Sequence, residues 1–196
     1  KQLAEDRSKQ GLKVLGKGLS DAHHEVRRAV LQHVDSVPSA LIPGFERALQ
    51  DSSYQNVEFA LEKLVKYRPK NRNTYFTTTE DVHGIGNSVK ITWLELAAQH
   101  KSKQHLEDLV AHSSQSYEFR TRVNAMRALK RLNHCNETVV KNLVNAYLDP
   151  NRRLSNPAKN VLNYFKTQHQ YGEVIMEYYK SQSWKAWEKQ RLENLL

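Results

Sequence analysis

The chain of 196 residues is basic, because 30 lysines and arginines against 21 aspartates and glutamates give a formal net charge of +9 at neutral pH. Its 7 glycines and 5 prolines are too few for a many-turned β-fold, and no apolar run approaches the roughly 18 residues that a membrane-spanning helix needs. The single cysteine, Cys135, excludes an internal disulfide and a cysteine-rich metal site, and we interpret it as a structural thiol.

Apolar residues recur at three- and four-residue spacing along most of the chain, which is the pattern of amphipathic helices. In chain order, the predicted helices span residues 2–18, 23–34, 36–50, 55–67, 88–100, 103–112, 117–133, 138–148, 154–168, 171–181 and 184–195. Residues 68–86 are predicted to be irregular. A threonine run weakens a short helical stretch at 73–81, and Gly84 and Gly86 indicate a turn.

A repeat organises these helices. Small residues stand at one face position in five of them, at steps of 31, 32, 33 and 33 residues, namely Ala29, Ala60, Thr92, Ala125 and Ala158. Four of the five copies have a leucine four residues later, at Leu64, Leu96, Leu129 and Leu162, whereas the first copy has His33. A small residue at a fixed place lets paired helices approach closely, and the recurrence therefore predicts repeated helix pairs.

Turn residues support the same repeat. Asp21, Asp51 and Asp149 precede three of the helices, and the stretch from Asp21 to Ala29 has the D-x-x-x-x-V-R-x-A form of HEAT-like repeats. One helix pair cannot bury its apolar face alone, so each copy needs its neighbours. We therefore predict an all-α fold, an α–α superhelix of the HEAT/armadillo type with about five to six helix pairs. We expect it to form a single domain over residues 1–196.

No motif for catalysis or metal binding is found. The string nearest to the zinc motif H-E-x-x-H begins at His23, and no second histidine stands at the required spacing. The pair Gly84 and Gly86 lacks the third glycine of a dinucleotide-binding loop, and no predicted strand precedes it. We therefore expect no catalytic residue, no cofactor and no metal site in this chain.

The densest basic cluster lies on the predicted helix 117–133, with Arg120, Arg122, Arg127, Lys130 and Arg131. We take Arg120, Arg122 and Arg127 as candidate binding residues that attract a peptide carboxylate. A solvated helix face is the alternative interpretation. Nucleic-acid binding is not expected, because no ladder of basic residues recurs one residue before, two after or six after the small positions.

Aromatic residues crowd the C-terminus, at Tyr178, Tyr179, Trp184 and Trp187. A terminal repeat has only one neighbour and needs special packing, so we expect these rings to form a cap. A binding platform is the alternative.

Four strings carry a more specific resemblance. They are Leu49-Gln50-Asp51-Ser52-Ser53-Tyr54 leading to Val57 and Ala60-Leu61; Ser116-Tyr117-Glu118-Phe119-Arg120-Thr121-Arg122; Asn151-Arg152-Arg153-Leu154-Ser155; and Tyr178-Tyr179-Lys180-Ser181 followed by Trp184 and Trp187. Together they resemble the C-terminal HEAT-like region of bacterial aminopeptidase-N-like zinc metallopeptidases, over nearly the whole chain. The resemblance implies a C-terminal fragment of a longer protein. The catalytic gluzincin domain of that protein would lie upstream, with its H-E-x-x-H and G-x-M-E-N strings, which this chain lacks.

The resemblance further implies a non-catalytic helical-repeat domain that packs on the upstream catalytic domain and limits which peptides reach the zinc. The expected partners are that domain of the same chain and the peptide substrate, and zinc is expected only upstream. The second hypothesis is a free-standing HEAT-repeat scaffold that binds a protein partner or nucleic acid through a basic surface. The compartment stays open between cytoplasm and periplasm.

Overall fold

The fold is all-α, which confirms the predicted fold class. The computed structural model describes residue 6, residues 8–100 and residues 102–195, and within these ranges it contains twelve α-helices, three short 3-10 turns and no β-strand. The chain divides between Leu96 and Ala97 into two compact units. The superhelical stacking and the single domain over 1–196 stay predictions.

The helices follow the predicted order. Up to the division they are α1 (Lys9–Gly18), α2 (His24–His33), α3 (Ile42–Ala48), α4 (Tyr54–Tyr67), α5 (Arg72–Thr79) and α6 (Ser88–Gln99), whose last turn passes the division. The 3-10 turns are Ser39–Leu41, Pro69–Asn71 and Ile85–Asn87. The second unit contains α7 (Lys103–His112), α8 (Phe119–Arg131), α9 (Glu137–Leu148), α10 (Arg152–Lys166), α11 (His169–Ser181) and α12 (Ala186–Glu193). Residues 2–5 and 7 of the predicted first helix lie outside the described residues.

Two predicted segments differ from the structure. The predicted helix 36–50 is a 3-10 turn followed by α3, where Pro43 stands in the first turn and its missing N–H costs little. The segment 68–86, predicted to be irregular with only a weak helical stretch at 73–81, contains the helix α5. The threonine hydroxyls of its last turn bond back to main-chain oxygens, from Thr78 to Thr74 at 2.8 Å and from Thr79 to Tyr75 at 2.9 Å. The buried ring of Tyr75 anchors the helix to its unit.

The three turn aspartates have the predicted role. In each turn the carboxylate accepts a hydrogen bond of 2.8 Å from the N–H two residues later, Asp21 from His23, Asp51 from Ser53 and Asp149 from Asn151. This local bond turns the chain immediately before α2, α4 and α10. Turn geometry therefore repeats along the chain as the sequence pattern predicts.

The predicted register of the first copy is wrong by one residue. Ala29 is exposed, whereas Val30 and Val34 of the same segment are buried. Counted from the turn aspartates, Val30 stands where Ala60 stands in the next copy, and Val34 stands where Leu64 does. The first step is thus 30 residues. Val34, and not His33, occupies the position of the leucine in this copy.

The second, fourth and fifth copies bury both predicted positions, whereas in the third copy Thr92 is buried and Leu96 is half-buried. Ala60 and Leu64 of α4 have no exposed surface, and α4 packs against α2, α3 and α5 in the first unit. In the second unit Ala125 of α8 and Ala158 of α10 are equally buried, and these two helices pack against each other. A methyl group at these positions allows close approach of the helices, which explains the recurrence of alanine.

Candidate binding surfaces

The three candidate arginines do not form one cluster. α8 begins at Glu118, whose carboxylate accepts from the N–H groups of Arg120 at 2.8 Å and Thr121 at 3.0 Å. Arg120 and Arg127 are exposed. They lie seven residues apart, which is nearly two helical turns and places them on the same side of α8. Arg122 is rotated by about 200° from Arg120 and faces the other way.

Arg122 is a buried residue with 5% of its surface exposed. Its Nη2 donates to Oδ1 of Asn145 at 2.9 Å, and its Nε donates to the main-chain oxygen of Ser113 at 3.4 Å. Burial lowers the pKa of the Arg122 guanidinium, and the charge of Asp149 opposes that shift. Arg122 therefore ties α8 to α9 and to the preceding loop, and its charge is turned inward.

A basic face lies on the neighbouring helices α8 and α10. The two helices carry nine lysines and arginines, five on α8 and four on α10, and no aspartate or glutamate. Their charge therefore equals the formal net charge of the whole chain, +9. We define the basic face by the exposed side chains Arg120, Arg127, Arg131, Arg152, Arg153 and Lys159.

The sequence analysis compared basic residues at three offsets from the small positions. The basic face contains a matching pair at a fourth offset, five residues before the small position. Arg120 stands five residues before Ala125, and Arg153 stands five residues before Ala158. Both are exposed in the first turn of their helices, and α8 packs directly against α10. Testing every offset along the helix would have found this pair.

A groove lies in the second unit between the loop before α8, one side of α9 and the C-terminal residues 178–188. We call it the amide groove; its volume is about 380 Å³, and its lining includes Gln115, Lys141, Asn142, Asn145, Tyr178 and Trp184. Asn145 is fixed on both sides of its amide, since Oδ1 accepts from Arg122 and Nδ2 donates to Gln115 at 3.3 Å. Arg122 thus holds the wall of this groove from behind.

The C-terminal aromatic residues divide between packing and groove wall. The ring of Trp184 stacks on Tyr179 with centroids 6.2 Å apart, and its Nε1 donates to the main-chain oxygen of Tyr179 at 2.8 Å. Trp184 and Tyr178 face the amide groove, whereas half of the Trp187 surface is exposed. Burial and the negative charge of Glu137 raise the pKa of Tyr178. Its hydroxyl is therefore a neutral donor at physiological pH.

A second, more open groove of about 510 Å³ lies in the first unit where α2, α4 and α6 begin. Arg28 and Glu58 face it, and Glu58 accepts a hydrogen bond of 2.6 Å from the Ser88 hydroxyl. Ile85 lines it with 70% of its surface exposed. The groove mixes one cation, one engaged carboxylate and an exposed aliphatic side chain.

Cys135 is buried, and its thiol is not activated as a nucleophile. Burial raises the pKa of the Cys135 thiol to about 12, so the thiol stays protonated and weakly nucleophilic. Within the described ranges, no group of three or more histidine, cysteine, aspartate or glutamate side chains is placed to hold a metal ion. Over the same residues, no helix is both long and apolar enough to cross a membrane.

Fold and surfaces together define an all-α protein of repeated helices, with a basic face and an amide groove in its second unit. Comparison with models of known protein families and with curated protein sequences finds no match to this chain.

Proposed function

We propose that this chain is a non-catalytic helical-repeat domain of a zinc aminopeptidase, where it packs on the catalytic domain and shapes peptide access. The observation that carries the proposal is the basic face, which has six exposed cationic side chains on two helices, α8 and α10, that contain no anionic residue. Such a surface attracts peptides through their carboxylates before any close contact forms. Three of the strings that carry the family resemblance lie at helix starts, before or within the first turns of α4, α8 and α10.

Within this proposal the chemistry and the zinc belong to the upstream domain. Arg120 and Arg127 attract the far end of the peptide from the surface of α8, where both are exposed. Arg122 has a structural role, because its guanidinium donates hydrogen bonds to Asn145 and Ser113. It positions the helices and is not available to a peptide carboxylate.

The natural protein tests the proposal first. We expect its intact mass to exceed 22.8 kDa clearly and the purified protein to contain zinc and cleave N-terminal residues from peptides. A natural product of this size without zinc or peptidase activity contradicts the proposal.

Substitution of Arg120 and Arg127 by alanine in that longer protein tests the basic face. We expect kcat/KM for peptides with a free C-terminal carboxylate to fall by about two- to fivefold relative to amidated peptides, the size of weak, exposed charge contacts. The matched control replaces the exposed Lys13 and Lys17 of the first unit, which removes the same charge elsewhere. Equal losses in both double variants would assign the effect to net charge alone.

The second candidate function is a free-standing repeat scaffold that binds a protein partner or nucleic acid through the same face. The specific observation in its favour is that none of the large hydrophobic side chains identified as exposed lies on α8 or α10 in the described chain. Protein interfaces rely on apolar and aromatic anchors, whereas phosphates need only cations and donors. If about four phosphates are contacted, duplex DNA binding should fall with a log–log salt slope near −4. Absence of binding at low salt would dismiss the nucleic-acid form of this candidate.

A further inference from the structure

The amide groove offers both hydrogen-bond donors and acceptors to a ligand. Asn142 is only 9% exposed, and its Nδ2 donates to Val110 O at 3.3 Å and to Ser113 Oγ at 2.9 Å. Ser113 Oγ itself donates to Val110 O at 2.6 Å, so both acceptors lie on one side of the Asn142 amide. Among the described residues, no hydrogen bond is made to the Asn142 Oδ1. One turn later on α9, Asn145 uses Oδ1 and one N–H within the protein, which leaves one N–H to donate.

An acceptor and a donor about one helical turn apart match a peptide chain. Peptide main chain presents N–H and C=O groups in equal numbers, whereas a phosphate or sulfate polyanion presents acceptors only. The acceptor at Asn142 and the carboxylate of Glu188 in the lining both disfavour a polyanion. The volume of about 380 Å³ lies at the lower end of the range for small-ligand sites, about 300–1,000 Å³. A short stretch of extended peptide therefore suits the groove best.

The sides of the groove supply a cation and an aromatic wall. Lys141 is exposed one turn before Asn145 and makes no hydrogen bond or ion pair to another described residue. Trp184 is held rigid by its bond to Tyr179, so its face is available without loss of side-chain freedom on binding. Leu148 adds an aliphatic surface to the lining. A carboxylate fits Lys141, and an aliphatic side chain fits the wall of Trp184 and Leu148.

We propose that the amide groove binds an extended peptide segment, with Asn142 and Asn145 pairing with its main chain and Lys141 pairing with a carboxylate. This inference stands on the groove of the second unit alone. It holds whether or not the chain belongs to a peptidase, and the basic face takes no part in it. Arg122 is a positioning residue here, because it fixes the amide of Asn145 from behind.

Tryptophan fluorescence of the full chain tests the proposal. In a Trp187→Phe background, emission is limited to Trp184 and the buried Trp93 of the first unit. The probes are short acetylated peptides of glycine, serine and leucine in three forms: a free C-terminal carboxylate, a C-terminal amide, and the amide with one internal aspartate. We expect saturable quenching or enhancement by the peptides that carry a carboxylate, and about two- to fivefold weaker binding of the plain amide.

The Lys141→Met variant removes the cation from an exposed position and leaves the fold in place. We expect it to lose the discrimination between acid and amide peptides, whereas the matched Lys159→Met variant on the basic face should bind like the parent. The stronger of the two acidic probes identifies the source of the carboxylate, side chain or C-terminus.

Three results would overturn the inference: no saturable binding of any probe, equal affinity of acid and amide peptides, or equal losses in the Lys141→Met and Lys159→Met variants. The first two leave the proposed aminopeptidase role untouched, since that role rests on the natural protein and the basic face. Conversely, a natural protein without zinc removes the aminopeptidase role and leaves the groove measurements standing.

Discussion

Replacement of Arg27 by methionine should destabilise the first unit more than any exposed arginine substitution. The Arg27 guanidinium binds Asp51 through both ends, with Nε–Oδ2 at 2.5 Å and Nη2–Oδ1 at 2.7 Å. Its Nη1 also donates to the main-chain oxygen of Asp21 at 2.7 Å. The Arg27 guanidinium thus joins the turn before α2 to the turn before α4. The Asp51 side chain is only 4% exposed, so removal of Arg27 leaves a buried carboxylate without its counter-ion.

The magnitude follows from what Asp51 keeps. Breaking a buried ion pair by removing one partner costs about 3–5 kcal/mol. Asp51 retains the hydrogen bonds from the N–H of Ser53, at 2.8 Å, and from the Asn56 side chain, which places the expected loss near the lower limit, about 3 kcal/mol. For a chain of this size, that loss corresponds to a decrease in Tm of about 6–12 °C. The matched Arg47→Met variant replaces an exposed arginine whose one side-chain hydrogen bond within the described part of the chain is to the Ser20 hydroxyl, and it should change stability by less than about 0.5 kcal/mol.

The effect should depend on pH in a defined direction. Burial of the Asp51 carboxyl raises its pKa, but hydrogen bonds from Arg27, Ser53 and Asn56 together lower it below the ordinary value. A lowered folded-state pKa gives a stabilising contribution that is complete above the unfolded-state pKa, about 3.9, and is lost as pH falls through the folded-state value. Without Arg27 the carboxyl protonates more readily, so the difference between variant and parent should shrink from pH 7 to pH 4.

Urea unfolding followed by far-UV circular dichroism at both pH values measures this difference. The double variant Arg27→Met/Asp51→Asn should recover part of the loss, because it leaves no unpaired charge and retains a side-chain acceptor for Ser53. Arg27→Met stability within 0.5 kcal/mol of the parent, or a loss that is equal at pH 7 and pH 4, would refute the reasoning.

Three further predictions concern other parts of the chain. Because the pKa of buried Cys135 is raised to about 12, its thiol should resist a thiol-reactive dye at pH 8 in the folded chain and react in urea; fast labelling of the folded chain contradicts this. Ala125→Leu should cost about 1–3 kcal/mol by overpacking, against little change for the exposed control Ala111→Leu in urea unfolding. Glu118→Ala should cost about 1 kcal/mol by removing the N-terminal cap of α8, and unchanged stability would deny that role.

Helix positions and most of the repeat follow from the sequence because burial repeats with the helical period. Ala60 and Ala125 illustrate this, since both are completely buried where helices pack. The first copy shows the limit: its step is 30 residues, and a shift of one residue rotates a helix position by about 100°. That rotation is enough to exchange exposed Ala29 with buried Val30. Only the turn aspartates, which are not subject to this ambiguity, carry the correct register.

The amide groove has no comparable sequence signal. Its lining comes from the loop 114–116, from α9 and from residues 178–188, and only packing within the second unit brings these segments together. The spacing on α9 predicts that Asn142 faces the interior. It does not predict the hydrogen bonds of the Asn142 amide nitrogen, which leave the side-chain oxygen without a bond to another described residue. Tyr178 and Trp184 are noticeable as aromatic residues, yet the same composition suits a cap or a wall. Only the tertiary contacts within the second unit show whether these rings pack as a cap or line the groove.

Basic residues on one helix form a binding site only if their side chains are exposed on the same side of the helix. The nine cations on α8 and α10 include Arg122 and Lys166, and both of these donate to oxygens of the protein itself. Substituting Arg120, Arg122 and Arg127 together would therefore mix loss of surface charge with loss of a buried tie, and weaker peptide binding could not be assigned to either. The exposed pair Arg120 and Arg127 separates the two effects, since a change in binding without a change in unfolding free energy then reports the surface alone.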